Sequence, residues 1–269
     1  MTDTRPHAFP EVQGGGSLIL AWQIKNKTVL VVGGGEVAAG RILSVLNADA
    51  NVVVVCPSSG LNPEVRHRID TCDKVTHIDR VFEPTDLETL PPSNNAPDMV
   101  LVAVDDPAAS TQIWKLCKEL RIPANIADVP SECDFYFGSV HRDGPLQIMV
   151  STNGKGPRLA ASIRKWIGNQ LPSGVGNAIE RIGELRVKLR KMVPDTADGP
   201  KRMRWMTKVS DAYSWDDMCA LTDEDMDNLL KFYQSGNAPE LHVLKAMRGG
   251  KVPEDLDVFD GSFGFSVVA

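Results

Sequence analysis

Lys27-Thr-Val-Leu-Val-Val32 runs without a break into Gly33-Gly34-Gly35, and Glu36-Val37-Ala38 follows at once. An unbroken apolar run of this length reads as a strand buried on both faces, the pattern of a parallel sheet. The glycines fit G-x-G-x-x-A where that strand gives way to a helix. The first glycine permits a tight turn, the second lets backbone approach a pyrophosphate, and the small third residue, Ala38, lets helix pack on strand. The helix start then offers free amides to phosphate charge. Val37, Ile42, Val45 and Leu46 are available for the inner face of that helix.

Working outward, Asn51-Val-Val-Val-Val-Cys56 is a second strand, ended by Pro57. A polar stretch with a short strand near Val75 to Val81 follows, and Pro91 to Pro97 is a loop by composition. Asp98 to Val104 is a further buried strand. Asp106-Pro107 starts a helix, a carboxylate cap followed by proline, with Ile113, Leu116, Cys117 and Leu120 on one face. Ile122 to Ala127 closes the series. Alternation of this kind defines an α/β, Rossmann-like, doubly wound parallel sheet.

Past Asp128 the pattern changes. Phe135 to His141 and Leu146 to Ser151 read as antiparallel strands joined through Asp143-Gly144. Pro157 opens a helix reaching about Gln170. Another begins near Gly174, carries Ala178, Ile182, Leu185, Leu189 and Met192 as a packed stripe, and stops at Pro194. Two more helical stretches are expected around Lys201 to Val209 and Thr222 to Tyr233. The resulting division is a flexible tail over 1–16, a dinucleotide-binding domain over 17–132, a small α+β region over 133–170, and a helical C-terminal domain over 171–269.

Composition narrows the class. The 269 residues are 42% hydrophobic and 24% charged, which suits a globular protein with a sizeable core. Apolar runs such as Val29 to Val32 fall far short of the roughly 20 residues of a membrane span, and Met1 to Gly16 lacks the apolar centre of a signal peptide. The five cysteines are scattered and never two residues apart, so free thiols in a cytoplasmic compartment are expected. The five histidines are equally scattered, and no resident metal site is expected. The net charge of −6 hides an asymmetry. From Lys155 to Lys208 thirteen basic residues face four acidic ones, a local +9 that leaves −15 for the remainder. Such a middle suits an anionic small molecule or a solvated helical face; no nucleic-acid or membrane partner is expected.

The acidic residue that commonly meets the adenosine ribose about 20 positions after the glycines is missing, and Cys56-Pro57-Ser58-Ser59 stands in its place. That leaves the choice between NAD and NADP undecided locally, although no arginine stands there to welcome a 2′-phosphate, which leans towards NAD. A second cluster falls at the carboxyl ends of the later strands: Asp105, Asp106, Asn125 and Asp128. The candidate cofactor contacts are Gly33, Gly35, Glu36, Val37, Pro57, Ser58, Asp105 and Asn125. Asp128, beside the expected nicotinamide position, is either a turn cap or the general base of a dehydrogenation.

In order and spacing, Gly33-Gly-Gly-Glu-Val37, Asn125-Ile-Ala-Asp128-Val-Pro130, Cys133-Asp-Phe-Tyr-Phe137 and Ser151-Thr-Asn-Gly154 with Pro157-Arg158 resemble the bifunctional precorrin-2 dehydrogenase/sirohydrochlorin ferrochelatase family of fungi. The resemblance covers Trp22 to Arg190. It implies oxidation of precorrin-2 to sirohydrochlorin with NAD as acceptor, then insertion of Fe2+ as a substrate to give sirohaem. It also implies that Asp128 takes part in both steps, and that 133–170 forms an intertwined dimerisation region of a homodimer. Arg158, Arg164 and Arg186 are candidates for pairing with the carboxylates of the macrocycle. A dehydrogenase without chelatase activity and a non-catalytic NAD(H)-sensing dimer remain alternatives on these residues.

Overall fold

The computed structural model describes Val12 and residues 14–250. Most of the tail expected over 1–16, and the last stretch of the C-terminal region, 251–269, lie outside the described residues. The chain divides into two compact units, one of residues up to Phe137 with Asn153–Gly156, the other of Gly138–Thr152 and everything from Pro157.

The first unit holds a five-stranded parallel sheet: β1 (Thr28–Val32), β2 (Asn51–Val55), β3 (Val75–Ile78), β4 (Met99–Val102) and β5 (Ala124–Ile126), in the order β3-β2-β1-β4-β5. From their second residue on, the side chains of β1 and β2 are buried, as are all those of β4, and the pleat deals alternate residues to opposite cores. Val29, Val31, Val52, Val54, Met99 and Leu101 join one core with helix α1 (Glu36–Leu46) and Val65 of α2 (Pro63–Thr71). Leu30, Val32, Val53, Val55, Val100 and Val102 join the other with Ile113 and Cys117 of α3 (Pro107–Leu120). Strand order reverses between β1 and β4, which places the topological switch point directly above the glycine turn.

Several local expectations are corrected. Val37 is half-exposed at the helix mouth, and Ala38 and Ala39 take the inner positions beside Ile42 and Val45. Leu120 is also half-exposed because α3 ends there, with Arg121 in the left-handed conformation. Helix α2 stands where a polar stretch was expected. Only its Val65 is buried, so it has no apolar stripe to read, although Asn62 caps it through the Glu64 amide and Pro63 opens it.

The second unit begins with the hairpin β6 (Ser139–Asp143) and β7 (Leu146–Val150), closed by Gly144 at φ +53°. Its first strand starts at Ser139, four residues later than expected. Phe135 instead packs on the sheet core of the first unit, edge-on to Trp22 and Phe137. Helix α4 (Pro157–Gln170) lies close over β6, near enough that a Cβ on Gly168 would meet His141 Nδ1 at 2.8 Å. Helices α5 (Val175–Met192), α6 (Gly199–Ala212), α7 (Trp215–Ala220), α8 (Asp223–Leu230) and α9 (Leu241–Ala246) share a core of Ala178, Leu185, Leu189, Trp205, Val209, Met226, Leu229 and Leu244. Met192, expected on that stripe, is half-exposed at the end of α5. The six-residue α7 and α9 are too short for periodicity to mark, and Ser214 with Asp217 forms the capping box that starts α7. No helix among the described residues is long and apolar enough to cross a membrane.

Candidate active site

The glycine turn is shaped by contact as well as by conformation. Gly33 has φ +108°, and a Cβ there would stand 2.1 Å from the Ala103 carbonyl oxygen, so β4 leaves no room for a side chain. A Cβ on Gly34 would meet Leu61 Cδ2 at 2.8 Å and Cys56 Sγ at 2.9 Å. Gly35 is different: nothing lies within 4 Å of its Cβ position. It occupies the N-cap of α1 without a side-chain cap, so the open amide end of an eleven-residue helix faces clear space. Glu36 and Val37, both exposed, form the first turn of that end.

Beside the turn lies a cavity of about 360 Å³. Val32 and Gly33, Val55 to Pro57, Val81, Phe82 and Pro84, and Val104, Asp106, Ala109, Gln112 and Ile113 line it, so it opens where β1, β2 and β4 end. Its walls are mostly apolar, which suits an adenine ring. Gly33 and Pro57 thus share one cavity. Asp106 is engaged as the α3 cap, accepting from the Ala108 and Ala109 amides at 2.9 and 3.2 Å, and Asp105 beside it is exposed. Ser58 lies just past the rim. Its amide and hydroxyl both donate to Asp79, each at 2.6 Å.

One strand beyond, Asn125 is 4% exposed. Its Nδ2 donates to the Phe135 carbonyl at 2.7 Å, while its Oδ1 is buried without a hydrogen-bond partner among the described residues. A buried acceptor left open is costly unless a ligand donor meets it. With the open amide end at Gly35 and the apolar cavity, it suits the donor-rich, phosphate-bearing dinucleotide.

Asp128 sits on the turn after β5, exposed and left-handed at φ +59°. Aspartate tolerates this region better than most residues, and a held local strain of this kind is common where a side chain must be aimed. Cys133 braces the turn by donating its thiol to the Ile126 carbonyl at 3.2 Å and the Val129 carbonyl at 3.4 Å. Burial pushes that thiol up in pKa, so it stays a neutral donor.

Sequence reasoning missed Arg41. From the second turn of α1 its Nη1 donates to the Val102 carbonyl at 2.7 Å and the Asn125 carbonyl at 3.3 Å, tying together the ends of β4 and β5. Its guanidinium stands 6.0 Å from the centroid of the Phe137 ring. Burial lowers its pKa, while Cys133 and Asp128 favour the charged form. Ala38, Arg41 and Val45 follow helical spacing on the buried side, and that register was the available signal.

In the second unit, Arg186 lines a cavity of about 220 Å³ together with Arg190 and Arg202, over Leu189 and Met206. Arg164 donates to the Ser139 hydroxyl at 3.3 Å, and Arg158 is exposed on α4. No group of three or more metal-ligating side chains occurs among the described residues.

Sheet order, glycine turn and cavity define an NAD(P)-binding α/β unit joined to a hairpin and a helical unit. An NAD(P)-binding family model matches residues 20–139, and the central and C-terminal sirohaem biosynthesis protein models match 143–170 and 172–239. The chain is 51% identical to the siroheme biosynthesis protein met8 of Schizosaccharomyces pombe over 91% of its own length and 89% of that protein's. It is 31% identical to the siroheme biosynthesis protein of the same name from Saccharomyces cerevisiae, over 73% and 83%. The chain belongs to the siroheme biosynthesis protein family. Among solved structures, SirC, a precorrin-2 dehydrogenase, shares the fold with a TM-score of 0.57 at 20% identity, over 81% of this chain and 99% of that one.

Proposed function

We propose that this chain oxidises precorrin-2 to sirohydrochlorin with NAD+ and then inserts Fe2+ to give sirohaem, with Asp128 as the proton acceptor in both steps. The observation that carries the reading is Asp128 itself. It is an exposed carboxylate on a braced left-handed turn, one strand beyond the switch point and within the electrostatic reach of the half-buried guanidinium of Arg41. The names of the family members and of the structural neighbour support the substrate.

The chemistry asks for a base at this place. When bound, the nicotinamide ring accepts hydride from the macrocycle. The substrate must lose a proton with the hydride, and metallation must strip two N–H protons, so one solvent-reachable carboxylate can relay protons in each reaction. Gly33, Gly35, Glu36 and Val37 hold the pyrophosphate by backbone, and Pro57 and Ser58 border the adenosine. Asp105 and Asn125 reach the nicotinamide half. The eight carboxylates of the macrocycle call for basic partners, which the Arg186, Arg190 and Arg202 cavity supplies.

The chain works as a homodimer, in the cytoplasm. Support for the dimer comes from α4, where Leu159, Ile163 and Trp166 form an apolar stripe at spacings of four and three; Leu159 and Trp166 are 60% and 65% exposed. Support for the compartment comes from five unpaired cysteines.

Asp128→Asn tests the assignment. It keeps NADH binding at the wild-type level and lowers precorrin-2 oxidation by about 10²-fold or more, together with the rate of iron insertion. Unchanged turnover in this variant refutes the shared-base role. Loss of iron insertion alone moves the dehydrogenation base elsewhere.

A further inference from the structure

The carboxylate missing from the end of β2 is present in space. Strands β2 and β3 pair in parallel with Val55 opposite Ile78, so the residue after Ile78 rises beside the segment that follows β2. That residue is Asp79, and both of its oxygens take hydrogen bonds from Ser58, one from the amide and one from the hydroxyl. Ser58 follows Pro57 directly and Asp79 precedes Val81 by two residues, and both Pro57 and Val81 line the cavity beside the glycine turn.

We propose that Asp79 makes this chain select a dinucleotide with a free adenosine ribose over one carrying a 2′-phosphate. The inference rests on the dinucleotide-binding reading above. In folds of this kind an acidic side chain near the end of the second strand accepts from the ribose hydroxyls. Here the third strand delivers it to the same edge of the sheet.

The placement is held from both sides. His77 Nε2 lies 2.8 Å from the Cys56 carbonyl oxygen and ties the end of β3 to that of β2. Arg80, the next residue, forks onto the buried Asp86 at 2.9 and 2.6 Å. The Ser58 hydroxyl and amide hold the Asp79 carboxyl below the usual carboxylate range, so it is anionic at neutral pH. Arg66 donates to the Ser58 carbonyl at 2.9 Å, which sets a guanidinium at the same rim. With Asp79 present the pair is near neutral, and a 2′-phosphate meets a like charge. With Asp79 neutralised, Arg66 is left as an unopposed cation of the type that accepts such phosphates.

The test is separate titration of the full-length protein with NADH and NADPH, followed by reduced-nicotinamide fluorescence, for wild type, Asp79→Asn and Arg66→Gln. Wild type binds NADH more tightly. Asp79→Asn shifts the ratio of the two dissociation constants towards NADPH by on the order of 10- to 100-fold, the scale of removing a like-charge clash. Arg66→Gln shifts it the other way and keeps the inference testable if Asp79→Asn fails to fold. A purely structural Asp79 would weaken both dinucleotides equally, and an unchanged ratio in the folded variants, or a wild-type preference for NADPH, overturns the inference. Binding of neither dinucleotide to wild type overturns the cofactor reading itself.

Discussion

Gly33 and Gly35 are two residues apart in one motif, yet the structure gives them opposite responses to a methyl group. In Gly33→Ala the new Cβ would stand 2.1 Å from the Ala103 oxygen, where ordinary contact begins near 3.4 Å, so the end of β4 must retreat by more than about 1 Å. That retreat strains the bond from the Ala103 amide to the Val32 carbonyl, now 2.8 Å. A non-glycine residue at φ +108° costs about 1–3 kcal/mol and overpacking another ~1–3 kcal/mol. A loss of about 4 kcal/mol lowers the melting midpoint of the α/β unit by about 8–16 °C. Gly35→Ala meets nothing within 4 Å and has an ordinary φ of −76°, so its stability cost stays below about 1 kcal/mol. Its methyl group instead enters the space a pyrophosphate needs, and NADH affinity falls by about tenfold or more. Thermal and urea unfolding by circular dichroism, with NADH fluorescence titration, reads both quantities. A fully stable Gly33→Ala, or a Gly35→Ala that unfolds early and binds normally, would mean that close approach and phosphate access are not what these two glycines serve.

Arg41→Met keeps the aliphatic stem and removes the guanidinium that joins the Val102 and Asn125 carbonyls. The loss of one good charge-assisted bond costs about 2 kcal/mol in urea unfolding, and a variant as stable as wild type contradicts the pinning role. Asp225 has no exposed surface. Burial pushes its pKa up, but Arg248 and the amide and hydroxyl of Thr222 outweigh that and bring it from 3.8 to about 2. Because the folded value lies below the unfolded one, its contribution is complete above about pH 4 and vanishes as pH falls through about 2. Acid titration of helical ellipticity should show Asp225→Asn removing this pH dependence, and an unchanged acid profile argues against it. Leu159→Glu with Trp166→Glu places charge on the exposed stripe of α4 and gives a monomer in sedimentation equilibrium; a persistent dimer relocates the interface.

The parallel sheet was legible because β1, β2 and β4 are buried on both faces and therefore apolar at every position but the first of β1 and β2, Thr28 and Asn51, with a glycine turn or a proline marking each exit. Helix α2 was not, since one buried valine makes no stripe, and only the Asn62-Pro63 start carried a signal. At the candidate site, the glycine turn could be read from local pattern, whereas Asp128 by local pattern was as much a turn cap as a base and was singled out by the family resemblance. Arg41 could be read only by placing it in the register of Ala38 and Val45, and nothing local marks its two carbonyl partners. Asp79 was illegible for a deeper reason: its meaning depends on which strand lies beside β2, and pairing between strands leaves no trace in the residues around it.

Whether one protein performs both the oxidation and the metallation is decided by anaerobic incubation of the purified chain with enzymatically generated precorrin-2 and NAD+, followed by absorption spectroscopy before and after addition of Fe2+. Sirohydrochlorin should form only when NAD+ is present, and iron should then enter faster than in a protein-free control. Oxidation with metallation no faster than that control would contradict the bifunctional claim, and absence of oxidation would contradict the dehydrogenase itself.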